Sequence, residues 1–275
     1  MAAQILRRLA LMGFILLVIV SATWAMMSLA PGDAITLERG LNESDRAAKL
    51  AQYQAQHNFI TYLKELLWQG SLGTSYVQGE RPVWEILSPA IPVSFSLGGY
   101  AMLLALIGGL AAGVLSSQFH NRAPDQGAML LSLVGLSVPA FVLGPLLQMN
   151  FSLRWDWFAL SGWWQPGLDE GSWRNIVLPA LTLSAIPGAT IARLTRSSML
   201  EAMNQDYIRT ALAKGLGRWE IAIRHGLRNA VMPVLSYVGP AAAAVLMGSI
   251  VVESVFKIPG LGEHFINGAR NRDYE

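Results

Sequence analysis

The 275-residue chain contains no cysteine. That removes disulfide cross-links, thiolate nucleophiles and cysteine-ligated metal sites. Charge is scarce as well, at 14% of residues against 53% hydrophobic. A soluble domain carries roughly 25% charged residues, and 20 basic with 18 acidic side chains are too few to clothe a soluble fold of this length. No Gly-x-x-x-x-Gly-Lys-Ser/Thr loop exists to cradle phosphates, so the chain is not expected to bind ATP itself. His57, His120, His225 and His264 are far apart and lack His-Glu-x-x-His spacing, which argues against a metal centre and leaves no cofactor to expect. Gly135-Leu-Ser-Val-Pro139 lacks the second glycine of a nucleophile elbow. An enzyme is not expected.

What the chain has instead is long intervals without charge. They run from Arg8 to Asp33, Glu85 to Arg122, Asp125 to Arg154, Arg174 to Arg193 and Arg228 to Glu253, and contain 24, 36, 28, 18 and 24 residues. A membrane-spanning helix needs about 20 predominantly apolar residues to cross hydrocarbon roughly 30 Å thick. Backbone polar groups in lipid must be satisfied within the segment, so these intervals are expected to be helical. The expectation is an all-α polytopic membrane protein forming one transmembrane domain over residues 1–275, with spans near 9–30, 94–117, 127–152, 175–196 and 231–254. The run from Leu9 to Ala30 exceeds the 7–15 residues of a signal-peptide core.

Basic residues set the expected orientation. Arg7 and Arg8 mark the N-terminus, and Arg193, Arg196, Arg209, Lys214, Arg218, Arg224 and Arg228 gather around segment 197–230. The 153–174 connection has only Arg154 and Arg174. The N-terminus, the 118–126 turn and segment 197–230 are therefore expected in the cytoplasm, and 33–92, 153–174 and 255–275 outside. Trp155, Trp157, Trp163, Trp164 and Trp173 crowd the 153–174 connection, as an interfacial aromatic belt would.

Gly109-Leu-Ala-Ala-Gly113 fits the small-xxx-small pattern of close helix approach. Pro139, Pro145, Pro179, Pro187 and Pro240 predict kinks in the last three spans. Both features suit a bundle that rocks between two states and equally suit ordinary packing. No ionisable residue lies deep inside a span; Glu253, at the end of the fifth, reads as an interfacial residue reaching water. An ion-driven transporter is disfavoured, and the energy source is expected in another chain.

Segment 206–233 reads as two short helices broken at Gly215-Leu216-Gly217. Tyr207, Ala211 and Lys214 share a face of the first, and Trp219, Ile223 and Leu227 form an apolar stripe on the second. Such a unit can lie among lipid headgroups or insert its turn into a groove on a partner protein. Aromatic interleaving is absent, so nucleic acid is not an expected partner.

The same segment resembles the coupling loop of ATP-binding-cassette importer permeases, whose pattern is Glu-Ala-Ala, three residues, Gly, nine residues, Ile-x-Leu-Pro. Gly215, Ala211 and Leu227 match it, whereas Arg209, Thr210, His225 and Arg228 replace Glu, Ala, Ile and Pro. Those replacements resemble the peptide/nickel branch, and the likeness extends along the chain. Leu29-Ala-Pro-Gly32, Gly70-Ser-Leu-Gly73 (with serine for aspartate), Val138-Pro-Ala-Phe141, Pro233-Val-Leu-Ser-Tyr-Val-Gly-Pro240, Gly248-Ser-Ile-Val-Val-Glu253, Pro259-Gly-Leu-Gly262 and Asn271-Arg-Asp-Tyr274 all have counterparts. The wording is nearest to the membrane subunits of oligopeptide permeases.

The resemblance implies a type I importer transmembrane domain in a bacterial inner membrane. It implies a second permease subunit, two cytoplasmic ATPases and an extracytoplasmic peptide-binding protein as partners. Arg209, Thr210, Ala211, Lys214, Gly215, Leu216, Arg218 and Leu227 then form the ATPase-coupling loop. Other substrates of this family, namely nickel, sugars or antimicrobial peptides, remain open, as does a non-transporting membrane scaffold. It also implies a sixth helix after the Asn-Arg-Asp-Tyr motif, so the expectation is that one span is missing at the C-terminus.

Overall fold

The structure, a computed structural model, describes residues 2–29, 58–75, 77–79, 81–163, 173–271 and 273. His57, Trp164, segment 33–57 and parts of the Leu29–Gly32 and Asn271–Tyr274 motifs lie outside the described residues. Two compact units divide the chain: Met1–Ser88 with His264–Glu275, and Pro89–Glu263.

In the first unit, helix α1 (Ala2–Leu29) contains an apolar stretch of which nothing is buried by the chain itself. Such a surface suits lipid or a partner subunit. The ring of Trp24 meets that of Phe59, 5.3 Å away, at the start of α2 (Phe59–Lys64), where the Asn58 side chain accepts the Ile60 N–H. A π-turn over Glu65–Gln69 continues α2 and ends at a left-handed Gly70. Strands β1 (Thr74–Ser75) and β2 (Arg81–Pro82) pair antiparallel and lead into α3 (Val83–Leu87).

The second unit is the helical bundle. It comprises α4 (Ala90–Gln118), α5 (Ala123–Ser137), α6 (Ala140–Leu147), α7 (Arg174–Met203), α8 (Asp206–Ala213), α9 (Arg218–Ile221), α10 (Leu227–Phe256) and the first residues of α11 (Leu261–Asn271). Its core lies among α4, α7 and α10, where Leu97, Ala101, Leu178, Val245, Val252 and Phe256 are buried. In lipid the hydrophobic effect does little to join helices, so close packing of small residues must. The Gly109–Gly113 face does this. A Cβ on Gly109 would stand 2.7 Å from the Gly188 carbonyl oxygen, and one on Gly113 2.7 Å from that of Ala192, so only glycine lets α4 approach α7 so closely.

Among the described residues, four helices are long and apolar enough to cross a membrane, or five if one bent pair is a single span. That pair covers the expected third span at 127–152 and is sharply bent within it. Helix α5 and the helix formed by α6 and its π-turned continuation to Arg154 meet at 113°. The cause is Val138-Pro139. A residue preceding proline is pushed out of the α region, and Val138 is extended at φ −88° and ψ 116°. Pro179, Pro187, Pro233 and Pro240 instead sit inside continuous helices.

The fourth helix is also longer than the uncharged interval, reaching Met203 through Arg193 and Arg196. The reading of Glu253 needs a correction. It does not reach water, being 0% exposed. Its Oε2 accepts the Gly262 N–H at 2.6 Å, while the Ser94 hydroxyl oxygen accepts the Leu261 N–H at 2.9 Å. Two side chains from different helices thus hold the first turn of α11, where the helix dipole favours a carboxylate.

Candidate functional site

The basic segment folds as two short helices about a glycine turn. Helix α8 ends as the Gly215 N–H bonds the Leu212 carbonyl at 2.9 Å and the Leu216 N–H bonds that of Ala211 at 3.3 Å. Gly215 has φ +82°, and a Cβ there would meet nothing within 4 Å. Its backbone conformation, rather than crowding, calls for glycine. Gly217 then precedes α9, whose N-terminal turn closes with Ile221 N–H to the Gly217 carbonyl at 3.0 Å. A π-turn over Ala222–Gly226 joins α9 to α10.

The hairpin buries one face against the bundle. Ile208, Ala211 and Ile221 form a small core with Met203 and Leu216. Ala222 and Ala230 pack with Met199 and Val114, with Leu227 beside them. A Cβ on Gly226 would lie 3.2 Å from Met199 Cε, so the glycine seats the π-turn on α7. Asn229 donates to the Tyr207 hydroxyl at 2.8 Å, tying α10 back to α8. A cleft of about 290 Å³ beside this bond is lined by Ser198, Glu201, Gln205, Tyr207 and Asn229 among others.

The inner face is not the one the apolar periodicity suggested. Trp219 and Ile223 are 49% and 59% exposed, whereas Ile221 and Ala222 are buried. The stripe of Trp219, Ile223 and Leu227 therefore splits, with only half-buried Leu227 turned inward. On α8, Ala211 is buried while Tyr207 and Lys214 are exposed, and Ile208 completes the inner face. The inner face thus combines Ile208 and Ile221 with the small Ala211 and Ala222, while Trp219 and Ile223 are left exposed.

Of the eight expected coupling residues, Arg209, Thr210, Lys214, Gly215 and Arg218 are exposed, Ala211 is buried, and Leu216 and Leu227 are half-buried. Ala211, Leu216 and Leu227 hold the hairpin, and the other five form its surface. Arg218 also reaches out of the segment, donating from Nη2 to the Gln118 carbonyl at 2.8 Å and from Nε to Gln118 Oε1 at 3.2 Å.

Sequence reasoning missed the group behind that contact. The buried Asp125 carboxylate takes Arg196 Nε at 2.6 Å and Nη2 at 2.7 Å. It also accepts the Asn121 N–H at 2.8 Å and the Ser116 hydroxyl. A bidentate Arg–carboxylate pair is geometrically specific and strong. One signal was available: Asp125 is the only acid between Glu85 and Asp156, and an acid beside a membrane span calls for a counter-charge.

Residues 104–275 match the family described as the binding-protein-dependent transport system inner membrane component. The chain is 38% identical to the dipeptide transport system permease protein DppB of Bacillus subtilis, a match covering all of this chain and 88% of that protein. It is 39% identical to the oligopeptide transport system permease protein OppB of Salmonella typhimurium, over 94% of this chain and 84% of that one. A crystal structure of an amino acid ABC transporter with histidines shares the fold at TM-score 0.50 and 16% identity, covering 70% of this chain and 82% of that chain.

Proposed function

The chain belongs to the family of inner membrane components of binding-protein-dependent transport systems, and from that premise we propose that it forms half of the translocation path of an ATP-driven oligopeptide importer. Membership makes it a multi-pass membrane permease subunit and not itself the ATPase. Peptide as the substrate is supported by the two relatives, whose names specify dipeptide and oligopeptide transport. The partners of this reading are a second permease subunit, two cytoplasmic ATPases and an extracytoplasmic peptide-binding protein. The N-terminus and the Gly215 hairpin face the cytoplasm, and both compact units belong to one permease domain. Segments 33–92 and 255–275 receive the loaded binding protein.

The observation that carries the coupling role is the hairpin itself. Its tip, Lys214-Gly215, is exposed, while its inner face is locked onto the ends of α7 and α10. When ATP draws the two ATPases together, a tip seated in an ATPase groove moves with them. The buried contacts through Met199, Met203 and Ala222 pass that displacement to α7 and α10 as rigid bodies. Gly215→Asp places a charged side chain on the tip where it meets no other atom of the chain, and at φ +82° it also strains the turn itself. The substituted protein is expected to insert normally yet fail to retain the ATPases or to sensitise cells to a toxic tripeptide. Normal peptide sensitivity with Gly215→Asp would sink the coupling role. Cells whose sensitivity is the same with and without the gene would sink the peptide assignment.

A further inference from the structure

The Gly215 hairpin does not stand alone at its end of the bundle. The α4–α5 turn, residues 119–122, lies directly beside it. Arg218 grips the carbonyl and side-chain oxygens of Gln118, and the rings of Phe119 and Trp219 sit 6.4 Å apart at a 59° tilt. On its far side the turn is anchored by Asp125 and Arg196, a pair 71 residues apart in sequence. The Asn121 N–H donates to Asp125 from a left-handed backbone, φ +60°. Arg196 Nη2 also lies 3.1 Å from His120 Nδ1. Asn121 and His120 of this turn thus each meet the Asp125–Arg196 pair directly, and Gln118 at its start is held by Arg218, while His120, Asn121 and Arg122 remain exposed.

Arg122 on this turn and Lys214 and Arg218 on the hairpin are exposed basic residues. The two acids of the hairpin already face arginines, Asp206 at 3.7 Å from Arg209 and Glu220 at 3.4 Å from Arg224. Leu212 and Trp219 supply exposed apolar contact on the same hairpin. A partner fitting this face has an acidic rim around an apolar groove.

We propose that the partner ATPase grips a composite surface, the Gly215 hairpin together with the His120–Arg122 turn, and that Asp125 and Arg196 are positioning residues that hold the second contact. This rests on the reading of the hairpin as the ATPase-coupling element. The second contact belongs to α4 and α5, whereas the hairpin is seated on α7 and α10. An ATPase holding both drives all four helices from one rigid surface.

The natural absence of cysteine makes the test direct. Arg122→Cys and Lys214→Cys, each the chain's sole cysteine, are labelled with a benzophenone maleimide in the assembled importer and irradiated. Both positions are expected to capture the ATPase. Adding Asp125→Asn should reduce capture from position 122 at least fivefold and leave capture from 214 within twofold. Capture from 214 without capture from 122 overturns the composite surface and leaves the hairpin reading intact. Capture from neither overturns both. Capture of lipid alone at 122 also overturns the proposal, as does equal loss at both positions with Asp125→Asn, which marks a general structural role.

Discussion

The bundle buries two carboxylates at the ends of its helices, and they are held in opposite ways. Asp125, next to the hairpin, receives a bidentate arginine, a backbone N–H and a serine hydroxyl. Glu253, at the far end of α10, receives one backbone N–H, and its Oε1 has no partner among the described residues. Asp125 is paired with an opposite charge, while Glu253, among the described residues, faces amide dipoles at the start of α11. A buried polar group with few partners is costly to hold. The glycines do the holding. A Cβ on Gly260 would stand 2.5 Å from Glu253 Cδ and 2.7 Å from Ser94 Oγ, so the backbone wraps the carboxylate where a side chain would stand off. The contrast separates an end locked by an ion pair from an end fastened by shape and a single hydrogen bond.

The comparison breaks most readily at the arginine. Arg196→Ala strands the Asp125 carboxylate, and removing one partner of a buried pair costs about 3–5 kcal/mol. Arg196 is 23% exposed, so water recovers part of that loss and about 3 kcal/mol is expected. Thermal melting of the detergent-purified importer should show a large drop in midpoint. A shift no greater than that of an exposed control such as Arg224→Ala would mean that the pair holds nothing.

At the other end the vulnerable element is the glycine. Gly260→Ala inserts a methyl group into Glu253 and Ser94, and overpacking of this kind costs about 1–3 kcal/mol. The strain is local to the 258–262 turn. Hydrogen exchange should therefore rise at the Leu261 and Gly262 amides, which bond Ser94 and Glu253, and remain unchanged at Asn121. Exchange that rises equally at both ends would show that the two turns are not independent.

Much of this bundle was legible in the spacing of charge. The bilayer sets a minimum length for an apolar helix, so uncharged intervals located α1, α4, α7 and α10 to within a turn or two at most ends. The hairpin was legible for a similar reason, since Gly215 and Gly217 break helical periodicity visibly. Three features were not. The 113° bend at Pro139 could not be told from a mild kink, because prolines at 179 and 233 lie in helices that continue. The inner face of the hairpin was misassigned because hydrophobic periodicity identifies a core only where apolar side chains have no other use. Trp219 and Ile223 are apolar and exposed, as suits a surface reserved for a partner. Glu253 was read as water-facing because position in a span says nothing about a turn that folds back over it; Gly260 and Gly262 carried that information.

The smallest expected effect sharpens the comparison most. Glu253→Gln and Asp125→Asn make the same chemical change, a carboxylate replaced by its amide of nearly equal volume. At Asp125 the change forfeits charge-assisted bonds to Arg196, worth about 1.5–3 kcal/mol for hydrogen bonds to charged groups, and leaves a buried guanidinium short of its counter-ion. At Glu253 it breaks no ion pair among the described residues and keeps an oxygen for the Gly262 N–H. The favourable term lost is at most the interaction with the first turn of α11, about 0.3–1 kcal/mol. Glu253→Gln is therefore expected within about 1 kcal/mol of the parent chain, with Asp125→Asn roughly 2 kcal/mol less stable. Paired melting curves in the same detergent decide it. Equal losses would show that Glu253 has a counter-charge in the assembled importer, one supplied by a partner chain, and the far end would then be as firmly locked as the near one.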